Sequence, residues 1–404
     1  MRPPADREQL DRLLQHVWTG SVERRGDLTW VLTGDIPAMW LRDSAATMRP
    51  FVLWAAEDEE VRRTIEGVVR QQWRLIALDS RANAFGSGRR WWHRLDRPRP
   101  APGVWERKYE LDSLAFPIQL AWQLWKVTGS TAALDEVHSG LPGVLGVWRS
   151  EQRHHRSEYR FRRPLGSLAR GGRGSSVGPT GMTWSGFRPS DDRARYGYSI
   201  PGNLMASHSL AMAAELCEAV WRDLPMAQDC RALAAELRDG VLCHGTLPDG
   251  SFAYEVDGLG RQLLADDANM PSLLSLPLLA GVPADDPGYL ATRARVLSPA
   301  NPWFASGSAA SGIGSEHTPR GRVWPIALAV QGLTATDPDE AQQMADLLAA
   351  TTAGTGLAHE AFDADHPHRF SRADFAWANA MWAELLMALD GRLLPVGPAI
   401  ISGP

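Results

Sequence analysis

Residues 210–241 read LAMAAELCEAVWRDLPMAQDCRALAAELRDGV, and this stretch contains two series of apolar residues at helical spacing. Leu210, Ala213 and Cys217 belong to the first series, and Leu233 and Leu237 belong to the second. Apolar residues that recur every three or four positions line one face of an α-helix. The stretch therefore predicts two consecutive helices that pair as a hairpin.

The rest of the chain repeats this organisation, with long polar segments between pairs of predicted helices. Residues 10–17 have helical spacing, and Asp337 starts a typical helix N-terminus with a Pro and a capping-box Glu. Strand signals are few, at residues 28–32 and 159–161. The intervening segments, rich in Gly and Trp, span residues 83–107, 156–200, 245–268, 299–321 and 355–374. Loops this long usually carry function, so we predict an all-α toroid of helical hairpins with functional loops at one end.

The composition is that of a globular protein with a mild negative charge. The 404 residues contain 42 Lys and Arg against 47 Asp and Glu, a net charge of −5, which argues against a nucleic-acid partner. The Arg- and Gly-rich run at residues 170–176 lacks aromatic residues, so we interpret it as a flexible loop. No stretch approaches the roughly 20 apolar residues of a membrane span, and no signal segment opens the chain, so we expect a cytoplasmic protein. The 17 Trp, more than the 10 Phe or 6 Tyr, hint at carbohydrate binding.

A first polar cluster lies in residues 34–44, which read GDIPAMWLRDS. Arg42 donates hydrogen bonds, Asp43 accepts them, and Trp40 offers an apolar plate. This combination suits a ligand with several hydroxyl groups. A buried ion pair at the start of a helix near Ser44 explains the same residues equally well.

A second cluster ends in two adjacent carboxylates, Asp191 and Asp192, which follow Trp184 and Arg188. Adjacent carboxylates repel, so one of them can be pushed toward the neutral form that a general acid needs. The alternative is a turn in which one Asp caps the next helix. The neighbouring Trp and Arg favour a site, but the residues alone do not choose between the two Asp.

A third cluster surrounds Glu360, a candidate general base with His359 or Arg372 near it. Asp363, Asp365 and two further His follow, which raises the alternative of a metal site. The His-Glu pair is not followed by a His at the helical spacing of a zinc protease, so we predict no metal.

Three further polar groups each precede a predicted hydrophobic helix, at residues 110–113, 266–269 and 315–318. Singly, each is typical of a helix N-cap. Together they would place polar side chains around one rim of a helical ring, which is a pattern expected of a sugar site. The members of interest are Asp112, Asp267, Asn269 and His317.

Other catalytic chemistries lack their motifs. The chain has no Gly-x-Ser-x-Gly elbow before a helix, no P-loop and no dinucleotide-binding glycine motif, and its three Cys lack a nucleophile or metal-site context. Two carboxylates in a Trp-rich cleft remain. Glycosidic cleavage needs that equipment, with one acid to protonate the leaving oxygen and one carboxylate on the other side.

These segments also resemble glycoside hydrolase family 125. The similar runs are TGDIPAMWLRDS at 33–44, WERKYELDSL at 105–114, GMTWSGFRPSDD at 181–192, DDANMPSLL at 266–274, HE at 359–360 and FAWAN at 375–379. They follow the order of the family from about residue 8 to 387, which is nearly the whole chain.

The resemblance implies a single (α/α)6-barrel domain over residues 1–404, acting as an inverting exo-α-1,6-mannosidase on α-mannoside oligosaccharides without metal or cofactor. By motif position, Asp191 matches the general acid and Glu360 the general base, and Asp192 would be a hydrogen-bonding neighbour of the acid. The residues expected to hold the terminal mannose are Trp40, Arg42, Asp43, Asp112, Trp184, Arg188, Asp267, Asn269 and His317.

Two positions depart from the family pattern. Asp374 stands where the family usually has Trp, and Glu316 stands where it usually has Pro. Neither is a catalytic carboxylate, so we expect them to affect the sugar beyond the terminal one and hence the linkage preference. The rival interpretations are another (α/α)6 carbohydrate enzyme, such as an inverting α-glucosidase or a sugar phosphorylase, and a non-catalytic sugar-binding protein.

Overall fold

The computed structural model describes residues 7–87, 93 and 95–401. Within these residues it contains thirteen α-helices, of which α6 is a single turn. The helices are α1 (Arg7–Ser21), α2 (Leu41–Val52), α3 (Glu59–Leu78), α4 (Asp112–Thr128), α5 (Leu134–Gln152), α6 (Ala169–Gly172), α7 (Ile200–Leu216), α8 (Leu224–His244), α9 (Leu276–Leu279), α10 (Pro287–Val296), α11 (Pro325–Leu333), α12 (Pro338–Ala350) and α13 (Ala376–Leu389). The outermost ends of the predicted 1–404 domain and part of the predicted loop 83–107 lie outside the described residues.

Short antiparallel strands lie in the loops between the helices. They are β1 (Val22–Arg25), β2 (Leu28–Val31), β3 (Met39–Trp40), β4 (Ala84–Phe85), β5 (Val104–Glu106), β6 (Tyr198–Ser199), β7 (Glu255–Val256), β8 (Gln262–Leu263), β9 (Phe304–Ser306), β10 (Ser311–Ile313), β11 (Arg322–Val323), β12 (Ala361–Asp363) and β13 (Phe370–Ser371). Three small sheets, β3-β4-β5, β6-β7-β8 and β11-β12-β13, join loops that are distant in sequence. The strand predicted at residues 28–32 is confirmed as β2. The strand predicted at 159–161 is wrong, because the only ladder contact there pairs Arg162 with Arg97.

The helices form two concentric layers. The inner layer contains α2, α4, α7, α9, α11 and α13, in which α2 packs on α4 and α13, α4 on α7, α7 on α9, and α11 on α13. The outer layer contains α1, α3, α5, α8, α10 and α12, and each follows or precedes an inner helix in the chain. The hairpin predicted from residues 210–241 is α7 with α8, which pack extensively against each other. The alternation of six inner and six outer helices confirms the predicted (α/α)6 barrel.

The burial of the helices follows from their composition. The inner helices α7, α11 and α13 are mostly apolar and are buried along most of their length, whereas the outer helix α1 buries one face only. Asp337 caps α12 as predicted, since its side chain accepts from the Asp339 amide at 2.9 Å. Because inner and outer helices alternate, the inner helices all run in the same direction. Their N-termini meet at one end of the barrel, and the long loops lead into that end.

Candidate active site

The predicted site residues converge at the N-terminal end of the inner helices. Arg42, Asp43 and Asp112 lie in the first turns of α2 and α4, and Trp40 directly precedes α2. The others lie in the loops that precede α7, α9, α11 and α13. The sheet β3-β4-β5 brings the segment of Trp40 next to the segment that leads to Asp112. Residues far apart in sequence therefore share one cleft.

Arg42 is the centre of a buried carboxylate cluster. Its side chain is 3% exposed, and Nη1 donates to Glu110 Oε2 at 2.6 Å and to Asp112 Oδ2 at 3.3 Å. Nε lies 3.2 Å from Asp43 Oδ1, and Nη2 lies 3.7 Å from Asp191 Oδ1. Burial opposes the charge of Arg42, but the surrounding carboxylates outweigh it and raise the pKa of the guanidinium well above its ordinary value. The ion-pair interpretation of this cluster is therefore confirmed, and it also fixes the position of Asp191.

Asp191 lies at the edge of this cluster with 22% of its side chain exposed. Its backbone is left-handed, at φ 64°, a conformation that Asp tolerates better than most residues. Asn83 Nδ2 donates to Asp191 Oδ1 at 2.9 Å. The helix-capping alternative for this turn is wrong, because α7 begins nine residues later with Ser199 as its N-cap.

The electrostatics of Asp191 differ from the sequence-based expectation. Burial raises the pKa of its carboxyl, but the charges of Lys108 and Arg42 and a hydrogen bond from Glu110 outweigh burial and lower it. In this cluster the pKa of Glu110 is raised well above its ordinary value. Burial is the main cause, and the neighbouring Asp191 adds to it. The positive charge of Arg42 lowers the pKa of Glu110 but offsets these effects only in part. Asp192 is not among the main groups that shift the pKa of Asp191, whereas Glu110 is.

Asp192 and His317 form a contact at the mouth of the cleft. His317 Nδ1 lies 3.4 Å from Asp192 Oδ2, and Ser190 Oγ donates to the same oxygen at 2.9 Å. The hydrogen bond to Asp192 raises the pKa of His317, burial opposes this, and the charges of Asp191 and Glu360 add to the increase. His317 therefore lies within the electrostatic field of both predicted catalytic carboxylates.

Glu360 lies on the opposite loop, directly before β12, with 8% of its side chain exposed. Arg372 Nη1 donates to Glu360 Oε1 at 3.4 Å, and its Nε donates to Asp35 Oδ1 at 3.0 Å. The charge of Arg372 also acts on Asp43. The predicted proximity of Arg372 to Glu360 is thus confirmed, whereas His359 points away, with its ring stacked on Phe370 at 3.7 Å between centroids.

Arg188 links three loops from a buried position. Nε donates to Glu255 Oε1 at 2.5 Å and Nη1 donates to Glu316 Oε2 at 2.5 Å, while the guanidinium lies 5.0 Å from the ring centre of Trp303. A cavity of about 310 Å³ lies beside Arg188 and Glu316 and is also lined by Asp192. Arg188 therefore borders open space that adjoins the acid loop.

Asp267 holds two loops together, and its predicted contact with the sugar stays a prediction. It is completely buried; Oδ1 accepts from the backbone and side-chain nitrogens of Asn269, and Oδ2 accepts from Ser315 Oγ at 2.8 Å. These bonds hold the loop before α9 against the loop that carries His317. Asn269 keeps 3% exposure and stays a predicted ligand contact.

The two predicted tryptophan plates differ. Trp184 is 1% exposed, its ring stacks on His154 at 3.5 Å between centroids, and Tyr109 lies parallel to it at 6.3 Å. These neighbours pack it into the core, and its role as a sugar plate stays a prediction. Trp40 retains 6% exposure, and its buried indole N–H has no partner among the described residues. Trp40 stays a predicted ligand contact.

Sequence reasoning missed several groups that shape the site. Asn83, Lys108 and Glu255 were not proposed, and Glu110 was considered only as part of a helix-start pattern. Asn83 and Glu255 stand in loops without a recognisable local motif, so only the folded loops reveal their partners. Glu110 carried one usable signal, namely its position two residues before Asp112 in a segment that the family resemblance covers.

Neither of the two departures from the family pattern contacts a catalytic carboxylate. Glu316 pairs with Arg188, as described. Asp374 Oδ1 lies 2.9 Å from His16 Nε2, which joins the last loop to α1 on the outer layer.

Among the described residues, no group of three or more His, Cys, Asp or Glu side chains is arranged to hold a metal ion. In the same part of the chain no helix has the length and apolarity to cross a membrane.

Comparison with known proteins identifies the family. Residues 9–387 match the model of the family described as metal-independent alpha-mannosidase (GH125). The chain belongs to family GH125. Its identification as an alpha-mannosidase family member agrees with the resemblance seen in the sequence motifs.

Individual relatives support this assignment. The meiotically up-regulated gene 157 protein of Schizosaccharomyces pombe is 35% identical over 390 residues, which cover 89% of this chain and 76% of that protein. One similar structure is a metal-independent alpha mannosidase from Streptococcus pneumoniae, solved as a non-productive complex with alpha-1,6-mannobiose. Its sequence is 41% identical to this chain, and the two structures superpose with a TM-score of 0.91. The match covers 95% of this chain and 93% of that chain. The glucoamylase of Saccharomycopsis fibuligera, at 13% identity and a TM-score of 0.65 over 96% of this chain and 95% of that chain, shares the fold.

Proposed function

We propose that this protein is an inverting exo-α-mannosidase that removes terminal α-1,6-linked mannose from short mannosides. The observation that carries the proposal is the exposure of Asp191. Among the four carboxylates gathered around Arg42, Asp191 has 22% of its side chain exposed, against 10% for Asp43, 3% for Asp112 and 0% for Glu110. It is therefore the carboxyl of this cluster that is best placed to reach a bound substrate.

The opposing loop supplies the second group that hydrolysis requires. The charge of Glu360 acts on His317, as that of Asp191 does, and Arg372 donates to the Glu360 carboxylate. In an inverting reaction one carboxylic acid protonates the glycosidic oxygen while a carboxylate removes a proton from the attacking water on the opposite face. We assign the first role to Asp191 and the second to Glu360. The C–O bond to the leaving sugar breaks as the bond to water oxygen forms, and the products are two free sugars.

The remaining polar groups suit the hydroxyl groups of the terminal sugar. The carboxylates of Asp43 and Asp112 accept hydrogen bonds, and the amide of Asn269 both donates and accepts them. All three residues lie at or near the starts of inner helices. The charge of Arg42 is committed to carboxylates, so we assign it to holding Asp43, Asp112 and Asp191 in place and not to gripping the sugar alone. The α-1,6 preference is supported by the mannobiose bound to the Streptococcus pneumoniae relative.

The deciding experiment is turnover of α-1,6-mannobiose followed by proton NMR. We expect β-mannose as the first-formed anomer, no phosphate requirement, and slower turnover of the α-1,2 and α-1,3 isomers. Removing the acid or base as Asp191→Asn or Glu360→Gln should lower kcat by about 10²–10⁴-fold with the fold intact.

Other outcomes would overturn the proposal in distinct ways. First appearance of α-mannose would contradict inversion, and formation of a sugar phosphate would point to a phosphorylase. Turnover of α-glucosides in preference to mannosides would identify an α-glucosidase. Binding of mannobiose without turnover would indicate a sugar-binding protein.

A further inference from the structure

A pair of carboxyl groups lies directly beneath the cleft and shares one hydrogen-bond donor. Asn83 Nδ2 donates to Asp191 Oδ1 at 2.9 Å and to Glu110 Oε1 at 3.2 Å. The other oxygen of Glu110 accepts from Arg42 at 2.6 Å and from Ser113 Oγ at 3.2 Å. Glu110 is completely enclosed, whereas Asp191 opens to the cleft. The two groups therefore form an inner and an outer member of one pair.

The charges around this pair do not balance if every acid is ionised. The charged and titratable groups that face it are Arg42, Asp43, Lys108, Asp112, Tyr159 and His317. Together with the pair they include four carboxyl groups. The cations are Arg42, Lys108 and, when protonated, His317. Lys108 also lies 3.3 Å from Glu106, and Arg372, which acts on Asp43, is shared with Asp35 and Glu360. Like charges at such short range disfavour ionisation, so one of the buried acids retains a proton.

The position of the pair favours such a proton. Glu110 and Asp191 lie around the same two donor groups, Asn83 Nδ2 and the Arg42 guanidinium. Two carboxylates held this close repel each other, which favours the neutral form of one of them. Full burial favours the neutral form on Glu110, and the cations and Asn83 favour the ionised form on Asp191.

We propose that Glu110 is a positioning residue that stores the acid proton and supplies it to Asp191. The proposal rests on the function proposed above, in which Asp191 is the general acid. In the free enzyme the proton lies on Glu110 and is shared with Asp191. Bound substrate covers Asp191, removes water from it and makes its charged form less favourable, which shifts the proton from the Glu110 carboxyl to the Asp191 carboxylate.

The proton balance closes over one turnover. Asp191 gives the proton to the glycosidic oxygen as the C–O bond breaks, which leaves both members of the pair ionised. Glu360 takes one proton from the attacking water and releases it to solvent after product leaves. One proton then returns from solvent through the exposed Asp191 to Glu110, so the net reaction consumes one water and no proton.

The test is the pH profile of kcat/KM for α-1,6-mannobiose in the variant Glu110→Gln. Glutamine keeps the size and can still contact Arg42 and Asp191, but it cannot release a proton. We expect the alkaline limb of the profile to move to lower pH by at least one unit, which corresponds to about a tenfold or greater loss at neutral pH. An aryl α-mannoside whose phenol leaves without protonation should be hydrolysed by the variant at about the wild-type rate.

Glu384→Gln is the matched control. It makes the same change at a buried carboxylate that pairs with Arg49 at 2.7 Å, away from the site residues. It should lower the Tm and leave the pH profile unchanged. If Glu110→Gln also leaves the profile unchanged while wild-type enzyme is active, proton storage is wrong and the mannosidase function stands. If wild-type enzyme does not hydrolyse mannosides at any pH, the proposed function itself fails.

A second measurement does not depend on the folding of the Glu110 variant. Infrared difference spectra of wild-type protein against Asp191→Asn at neutral pH compare protonated carboxyl groups directly. Burial keeps the proton on Glu110 in both proteins, but Asp191→Asn replaces the carboxylate beside that proton with an amide, so the protonated carboxyl band of the wild-type protein should shift in frequency in the variant. Absence of a protonated carboxyl band in the wild-type protein, or a band that does not respond to the substitution, would overturn the proposal.

Discussion

Arg188 Nη1 lies 2.5 Å from Glu316 Oε2, and this ion pair joins the loop that carries Asp191 to the loop that carries His317. Arg188 is buried and keeps Glu255 as a second partner, whereas 48% of the Glu316 side chain is exposed. The pair involves Glu316, one of the two positions that the sequence analysis expects to depart from the family pattern. It borders the cavity beside the acid loop.

Glu316→Gln should change substrate affinity more than stability. Glu316 is about half exposed and Arg188 keeps Glu255 as its buried partner, so loss of this pair should cost about 1 kcal/mol or less and the Tm should move little. Loss of the pair frees one end of Arg188 at the cavity, and we expect KM for α-1,6-mannobiose to rise by up to about fivefold, equivalent to about 1 kcal/mol, with kcat nearly unchanged. Steady-state kinetics on α-1,6- and α-1,3-mannobiose measure both the affinity and the linkage preference.

Glu218→Gln provides the comparison for this variant. Glu218 is similarly exposed, at 41%, and pairs with Arg231 at 2.6 Å on the outer layer. It should leave KM unchanged. Equal KM values for the two variants would mean that the Arg188–Glu316 pair has no influence on the cleft.

Asp191→Asn and Asp192→Asn should separate the two adjacent carboxylates. We expect kcat on α-1,6-mannobiose to fall by about 10²–10⁴-fold for Asp191→Asn, because the acid is lost. Asp192→Asn should cost less, because Asp192 contacts His317 and Ser190 and not the Arg42 cluster. An inactive Asp192→Asn together with an active Asp191→Asn would transfer the acid role to Asp192.

The helical architecture was accessible from sequence because its determinants are local. Helical spacing in residues 210–241 and the N-cap at Asp337 depend on neighbours a few positions away, and both are confirmed. The segment at 159–161 failed because its apolar and polar alternation has no partner strand in the structure, only the single bridge from Arg162.

The side-chain contacts around Asp191 could not be predicted from the sequence. Asn83 joins Glu110, 27 positions away, to Asp191, 108 positions away, and no local motif announces that contact. The sequence suggested Asp191 with Asp192 because they are adjacent, yet adjacent side chains on a turn point in different directions. Trp184 was assigned to the sugar for the same reason, since proximity in a motif does not reveal which way an indole faces.

Trp184→Phe and Trp40→Phe should have opposite consequences. Trp184 packs against His154 and Tyr109 in the core, so its truncation should reduce the free energy of unfolding by about 1–3 kcal/mol and leave KM little changed. Trp40 directly precedes Arg42 and its helix and keeps 6% exposure, so its replacement should raise KM and leave the Tm less affected. Chemical denaturation and mannobiose kinetics on both variants check this pattern. A raised KM only for Trp184→Phe would restore Trp184 to the sugar site.

His317→Gln should alter the pH dependence of stability. The pKa of His317 is raised in the folded protein by its hydrogen bond to Asp192, opposed by burial, and raised further by the charges of Asp192, Asp191 and Glu360. The folded state therefore binds the proton more tightly than the unfolded chain, whose His pKa is about 6.5. The stabilisation of the folded state by the protonated His317 is fully present below about pH 6.5 and is lost as pH rises through the higher folded pKa.

Scanning calorimetry should show that the wild-type Tm exceeds the Tm of His317→Gln at acidic pH and converges with it at alkaline pH. Introducing Asp192→Asn should remove most of the difference at acidic pH, and a Tm gap independent of pH would contradict the assignment.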